Sequence, residues 1–210
     1  MELVNKTCAD YTEALASKAA IPGGGSAAAL VGALGAALGT MVGNLTVGKK
    51  KYIDVEPDIL ALIEKSETIR AELLRAIDDD ATGFEPLSRA YSIPKDEPGR
   101  DEIMEKCLRD AAGIPIKIMR LSCQAIDLHR DFASKGSTLA ISDAGTGVAF
   151  CRAAMYGAAL NVMANTKYMK DRKYANQLNT EVYDLIEQYG NIADEVYADV
   201  FGRMEQWPNS

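Results

Sequence analysis

The chain has 210 residues, of which 48% are hydrophobic and 25% charged, which suits one domain with a sizeable buried core. A formal net charge of −7 argues against a general nucleic-acid surface, although a local basic cluster could still meet a small anion. There is one histidine, His129, so a histidine-based catalytic triad or a multi-histidine zinc site has no support, and no metal is expected. Set among charged neighbours in DLHRD, His129 reads as a solvated surface residue. The four cysteines, Cys8, Cys107, Cys123 and Cys151, form no CxxC pair and read as free or buried thiols of a reducing compartment. The first residues read as a polar amphipathic helix and not as a basic stretch followed by an apolar one, so the cytoplasm is the expected location.

In chain order, Leu3, Val4, Tyr11, Ala14 and Leu15 recur at roughly helical spacing and predict a first helix ending near residue 19. A glycine loop follows. Gly23, Gly24 and Gly25 permit φ > 0 or close approach to a ligand, and Ser26 is a natural N-cap, so a helix is expected after it. Its first free N–H groups and those of the loop would then converge on an anionic or strongly accepting group. From Ala27 to Val47 no residue is charged, long enough to raise a membrane span. The dominance of alanine and glycine argues against one. Gly35, Gly39 and Gly43 form an i, i+4 ridge that lets another helix come close, and burial on all sides points to a homo-oligomer. The stretch ends in Lys49, Lys50, Lys51 and Tyr52.

After a break at Pro57, periodic Ile59, Leu62, Ile63, Ile69, Leu73, Leu74 and Ile77 predict an amphipathic helix over residues 58–81, with Asp58 as its cap. Asp78, Asp79 and Asp80 crowd its later part, where acids oppose the helix dipole, so a purely structural role is weaker there than at a helix start. Residues 95–100, KDEPGR, form a loop. A long helix then runs from Asp101 to about Ser134, kinked at Pro115. A second small-residue helix spans about 146–169, with Ser142 or Asp143 as candidate caps. Asn161 and Asn165 lie i, i+4 on one of its faces amid apolar neighbours, either to bond a neighbouring helix or to read the edge of a heterocycle. A last amphipathic helix covers 174–204. No strand signal, low-complexity linker or short repeat appears, so the expected fold is all-α: one domain over 1–210, a bundle of long antiparallel helices with the small-residue ones central in a homodimer.

Taken in order, PGGGSAAA, GNLTVGKKKY, DDDATGF followed by AYSIPK, ISDAGTG and AALNVMAN resemble the cyclodeaminase/cyclohydrolase family of folate one-carbon enzymes. The resemblance spans nearly the whole chain. It implies an all-helical dimer acting on a tetrahydrofolate derivative, without a tightly bound cofactor and with neither nucleic acid nor membrane as partner. The stand-alone length and the GKKKY ending lean toward methenyltetrahydrofolate cyclohydrolase, with formiminotetrahydrofolate cyclodeaminase as the alternative. A non-catalytic folate-binding protein is the third reading, kept open by Thr82, which stands where the family often has a second acid.

Matched position by position, the resemblance places the glycine loop and serine on Gly23, Gly24, Gly25 and Ser26, and the lysine-rich segment on Lys49, Lys50, Lys51 and Tyr52. The acidic-aromatic motif falls on Asp80 and Phe84, the SD pair on Ser142 and Asp143, and the asparagine helix on Asn161 and Asn165. Both family reactions pass through a tetrahedral carbon and need a well-placed proton carrier. Asp143 or Asp80 is therefore expected to supply the carboxylate and Lys49 to carry protons. Lys50 or Lys51 would hold an anionic glutamate tail, Phe84 or Tyr91 would stack on rings, and Asn161 would read the pterin. A straight helix between Ser26 and Lys49 spans about 30 Å, so loop and lysines are expected to meet in one site only across two chains.

Overall fold

The computed structural model describes residues 2–206. Among them there is no strand, and six α-helices carry the chain: α1 (Cys8–Leu15), α2 (Gly24–Asn44), α3 (Glu56–Ala90), α4 (Arg100–Lys135), α5 (Ile141–Thr166) and α6 (Arg172–Glu205). The uncharged α2 and the small-residue α5 run antiparallel through the middle. A Cβ on Gly24 would meet Asn161, one on Gly32 would meet Ala154, and one on Gly35 would lie 2.5 Å from Cys151 Sγ. α3 and α4 also pack on α2, and α4 and α6 on α5.

The expected glycine ridge is thus used for close packing, but against helices of the same chain. A Cβ on Gly39 would press the Phe132 ring and one on Gly43 would fall 2.5 Å from Ile63 Cγ1. The opposite side of α2 stays open, with Leu34, Met41 and Leu45 exposed. By length and composition alone, Gly24–Asn44 and Thr138–Thr166 are apolar enough to cross a membrane; burial of 61% of the first inside the bundle gives its apolarity a different use.

Several boundaries differ from expectation. α2 starts at Gly24 with Gly23 as N-cap, so Ser26 lies inside the first turn. α3 begins two residues before Asp58, takes Pro57 into its first turn, where the missing N–H costs nothing, and runs on to Ala90 with Pro86 inside it. Ser142 and Asp143 do not cap α5; they belong to its first turn, after Ala140. The lysines do not end α2, which stops at Asn44. Lys49 instead precedes a 3₁₀ segment, Lys50–Val55, reached through Gly48 at φ 77°.

The largest correction concerns His129. It is 1% exposed, and its Nε2 donates to Gly35 O at 2.9 Å. Its ring fills the space left by glycine in α5, since a Cβ on Gly147 would fall 2.1 Å from Cε1. The charged neighbours in sequence point elsewhere on α4, because residues one apart on a helix face different ways. Burial pushes the imidazole down to about 4, so it is neutral in the folded chain. All four cysteines are free, and burial pushes Cys123 and Cys151 up to about 12, which makes them inert packing groups.

Candidate functional site

The first turn of α2 abuts the middle of α3 and the C-terminal half of α5, and between them lies a cavity of about 210 Å³. Gly23, Gly24, Gly25, Asp80, Phe84, Asn161 and Asn165 line it, together with Ala20, Ile21, Ala111, Pro115 and Ala164. Seven of the expected site residues therefore meet in one place. Ser26 stands behind them, fully buried, and touches no ligand space.

Gly24 and Gly25 serve close approach, and the loop does not use φ > 0, since Gly23 is extended and the positive-φ glycines are Gly48 and Gly99. A Cβ on Gly25 would fall 2.2 Å from Asp80 Oδ1, and one on Gly24 3.1 Å from Asn161 Nδ2. The anion expected at this helix start is thus the chain's own Asp80 carboxyl. Ser26 Oγ lies 3.0 Å from Asp80 Oδ2 and 2.9 Å from Ile77 O. Burial raises Asp80 above the usual carboxylate range, against the downward pull of hydrogen bonds from the Ser26 side chain and backbone. A carboxyl so placed is a stronger base than a solvated one and is poised to exchange protons. Asp78, two residues earlier on α3, accepts from Leu3 N at 2.5 Å and so ties down the N-terminal segment.

The two amides have structural duties as well. Pro115 has no N–H, so Ala111 O, four residues back, loses its helical donor. Asn165 Nδ2 supplies one at 3.2 Å and also donates to Asn161 O at 3.0 Å, while Asn161 Nδ2 donates to Gly157 O at 2.8 Å. With both N–H₂ groups engaged inside the chain, the amide oxygens are the atoms left to accept from a ligand.

The remaining expected residues lie elsewhere. At the far end of α2, about 30 Å away at 1.5 Å per residue, Lys49 Nζ donates to Ser137 Oγ at 3.1 Å, and Lys50 and Lys51 are exposed. Ser142 is exposed and Asp143 half-buried in the first turn of α5, at this same end, because α5 runs antiparallel to α2. Tyr91 follows the end of α3, is 49% exposed and does not line the cavity. The sequence reading did not single out Tyr52 for a chemical role. Its hydroxyl accepts from Thr138 N at 3.0 Å, and the hydrogen bonds from Thr138, with nearby Lys51, pull the phenol down to about 8. Only the fold brings residues 52 and 138 together. Among the described residues no group of three histidine, cysteine or acidic side chains is arranged to hold a metal.

Comparison with known proteins gives the family. Residues 7–184 match the family model described as formiminotransferase-cyclodeaminase. A methenyltetrahydrofolate cyclohydrolase of Methylorubrum extorquens is 40% identical over 200 residues, covering 93% of this chain and 96% of that protein. The formimidoyltransferase-cyclodeaminases of Mus musculus and Gallus gallus are 28% and 31% identical, and the matched region spans only 38% and 35% of their length. The crystal structure of formiminotetrahydrofolate cyclodeaminase from Thermotoga maritima superposes with a TM-score of 0.83 at 27% identity, covering 95% of this chain and all of that one. With its ordered motifs, its helical fold and a family match over most of its length, the chain belongs to the formiminotransferase-cyclodeaminase family.

Proposed function

We propose that the protein is a methenyltetrahydrofolate cyclohydrolase, hydrolysing 5,10-methenyltetrahydrofolate to 10-formyltetrahydrofolate in the cytoplasm without a bound cofactor. The observation that carries this is the end-to-end likeness to the Methylorubrum cyclohydrolase, which leaves almost none of either chain unmatched. The cavity supplies a group suited to the chemistry. Water adds to the cationic carbon bridging the two folate nitrogens, and Asp80 takes one of its protons. The tetrahedral carbon then collapses to the formyl group as one C–N bond breaks, its electron pair staying on nitrogen. Of the water's two protons, one ends on the released nitrogen and the other passes to solvent. Asn161 faces the pterin edge and Phe84 its ring.

The working unit of this proposal is a homodimer joined through the outward faces of α2 and α5. Leu34 and Met41 are exposed on the first helix and Leu45 just past its end, Phe150 and Leu160 on the second, the latter by 73%. These apolar positions flank the antiparallel pair. A two-fold axis across them brings the lysine end of one chain toward the glycine end of the other. The cavity within one chain, about 210 Å³, is smaller than the roughly 300 Å³ at which pockets for drug-sized ligands begin. The partner's lysine segment would complete it, Lys49 carrying protons and Lys50 and Lys51 meeting the glutamate tail. Asp143, at the same end, would arrive with that segment, while Asp80 is the carboxylate that lines the cavity itself.

The test follows the near-ultraviolet absorbance of methenyltetrahydrofolate with purified protein. Decay faster than in buffer, lost in Asp80→Asn and Lys49→Ala, is the expected result; no acceleration by the wild type would end the cyclohydrolase reading. The likeness to the Thermotoga cyclodeaminase favours a second reading, in which a folate nitrogen attacks a formimino carbon and ammonia leaves. Ammonia release from formiminotetrahydrofolate that outpaces methenyltetrahydrofolate hydrolysis would put that reading first.

A further inference from the structure

Ser26 is fully buried, yet its hydroxyl is used twice, 2.9 Å from Ile77 O and 3.0 Å from Asp80 Oδ2. A serine hydroxyl has one proton and two lone pairs. Ile77 O can only accept. Asp80 can accept as a carboxylate or donate as an acid, so the geometry admits two complete arrangements. With Asp80 ionised, Ser26 donates to Oδ2. With Asp80 neutral, the acid O–H donates to Ser26 Oγ, and Ser26 turns its proton to Ile77 O. Neither arrangement leaves the hydroxyl or the carboxyl without a partner, and a buried polar group left unsatisfied is costly.

We propose that Ser26 is a positioning residue for Asp80, a hydroxyl rotor that satisfies the carboxyl in both of its protonation states and so lets it take up and return a proton without moving. This rests on the reading of Asp80 as the proton carrier of the cyclohydrolase reaction. The titratable and polar groups near Asp80 are few. α1 contributes Tyr11, a buried phenol with no hydrogen-bond partner among the described residues, pushed up to about 12 by burial and then by Asp80 and Asp78. α2 contributes Ser26, and its own helix Asp78 and Asp79. The cavity-lining residues of α4 and α5 are uncharged. Ser26 is therefore the neighbour through which the carboxyl can be tuned.

The experiment compares wild type, Ser26→Ala and Ser26→Cys by carbon NMR titration of aspartate carboxyls, with Asp80→Asn identifying the resonance, and in parallel by the pH dependence of turnover. Loss of the hydroxyl removes a charge-assisted donor from the ionised form and a weaker, neutral acceptor from the acid, so the carboxylate loses more. The Asp80 titration and the acidic limb of kcat should both move up by about one pH unit. kcat should fall about tenfold or more, with KM unchanged because Ser26 does not reach the ligand. Ser26→Cys, which fills the same space with a weak donor, should shift the titration in the same direction. An Asp80 titration that stays in place in both folded variants would overturn the proposal. Should the protein turn over neither folate, the NMR titration still decides the role of Ser26, so failure of the functional reading and of this one can be told apart.

Discussion

The two ends of the central helix pair are built on opposite plans. At the glycine end, side chains have been removed from α2 so that α3 and α5 can bring Asp80 and Asn161 against its backbone, and each polar group there is held by another part of the same chain. At the lysine end, Lys50 and Lys51 are exposed, Lys49 is held by a single serine, and Leu139 beside them is 77% exposed. One end is a cavity whose lining is held by its own chain; the other presents charged and apolar side chains to solvent. The difference fits the proposed roles: backbone contact fixes a carboxyl rigidly, while long, solvated side chains stay free to meet a charged tail.

The strongest way to break this contrast is Gly25→Ala. Its Cβ would land 2.2 Å from Asp80 Oδ1, so the carboxyl must leave its place, and a fall in kcat of about 100-fold is expected in the folate assay. Lys50→Ala, at the other end, should instead raise KM about tenfold with little change in kcat, since it removes binding of a part of the substrate that does not react. Equal effects of the two on kcat would erase the distinction.

Mixed dimers sharpen it further. If each site takes Asp80 from one chain and Lys49 from the other, co-refolding inactive Asp80→Asn with inactive Lys49→Ala should restore about one quarter of wild-type activity, because half the dimers are mixed and each holds one intact site. No recovery would place both residues' functions within single chains.

Two pH effects complete the series. His129 is neutral when folded, near 4, and titrates near 6.5 when unfolded. Its folded-state pKa is depressed, so its contribution is complete above about 6.5 and is lost as pH falls to about 4, by about 3 kcal/mol in all. Chemical denaturation should show that loss over this window, and His129→Gln should flatten it. At the lysine end, ultraviolet titration should find one tyrosine ionising near 8, absent in Tyr52→Phe. Thr138→Pro should return it to the ordinary range. The proline deletes the donating N–H at the start of a 3₁₀ turn, and the extended Ser137 before it, φ −59° and ψ 124°, already suits that change.

Much of this was legible in the residues themselves. Hydrophobic spacing of 3.6 located the long helices, and the glycine ridge on α2 announced close packing, because both patterns are local consequences of helix geometry. The ordered motifs led to the family for a similar reason, since they are runs of neighbours along the chain. Asp80, Phe84, Asn161 and the glycine loop were each visible as candidates. What was not legible is how they are used. Ser26 carries the signature of an N-cap, but the cap position falls on Gly23, and the hydroxyl bonds residues 51 and 54 positions away. Asn165 could serve a neighbouring helix or a ligand by its spacing, and only the fold shows that it satisfies the carbonyl that Pro115 orphans on another helix. His129 sits among charges in sequence and is buried in the fold.

By itself, then, the sequence determined that this chain is all-helical, which stretches are helices, which of them must pack closely and to which enzyme family it belongs, because periodicity and ordered motifs are written along the chain. The tertiary structure alone decided that Asp80, Phe84, Asn161 and Asn165 gather at the glycine end, that Asp80 fills the helix start reserved for an anion, and that a serine expected to cap a helix stands behind the carboxyl instead. Those outcomes depend on which helix faces meet, and no local spacing encodes the contacts between residues fifty or more positions apart.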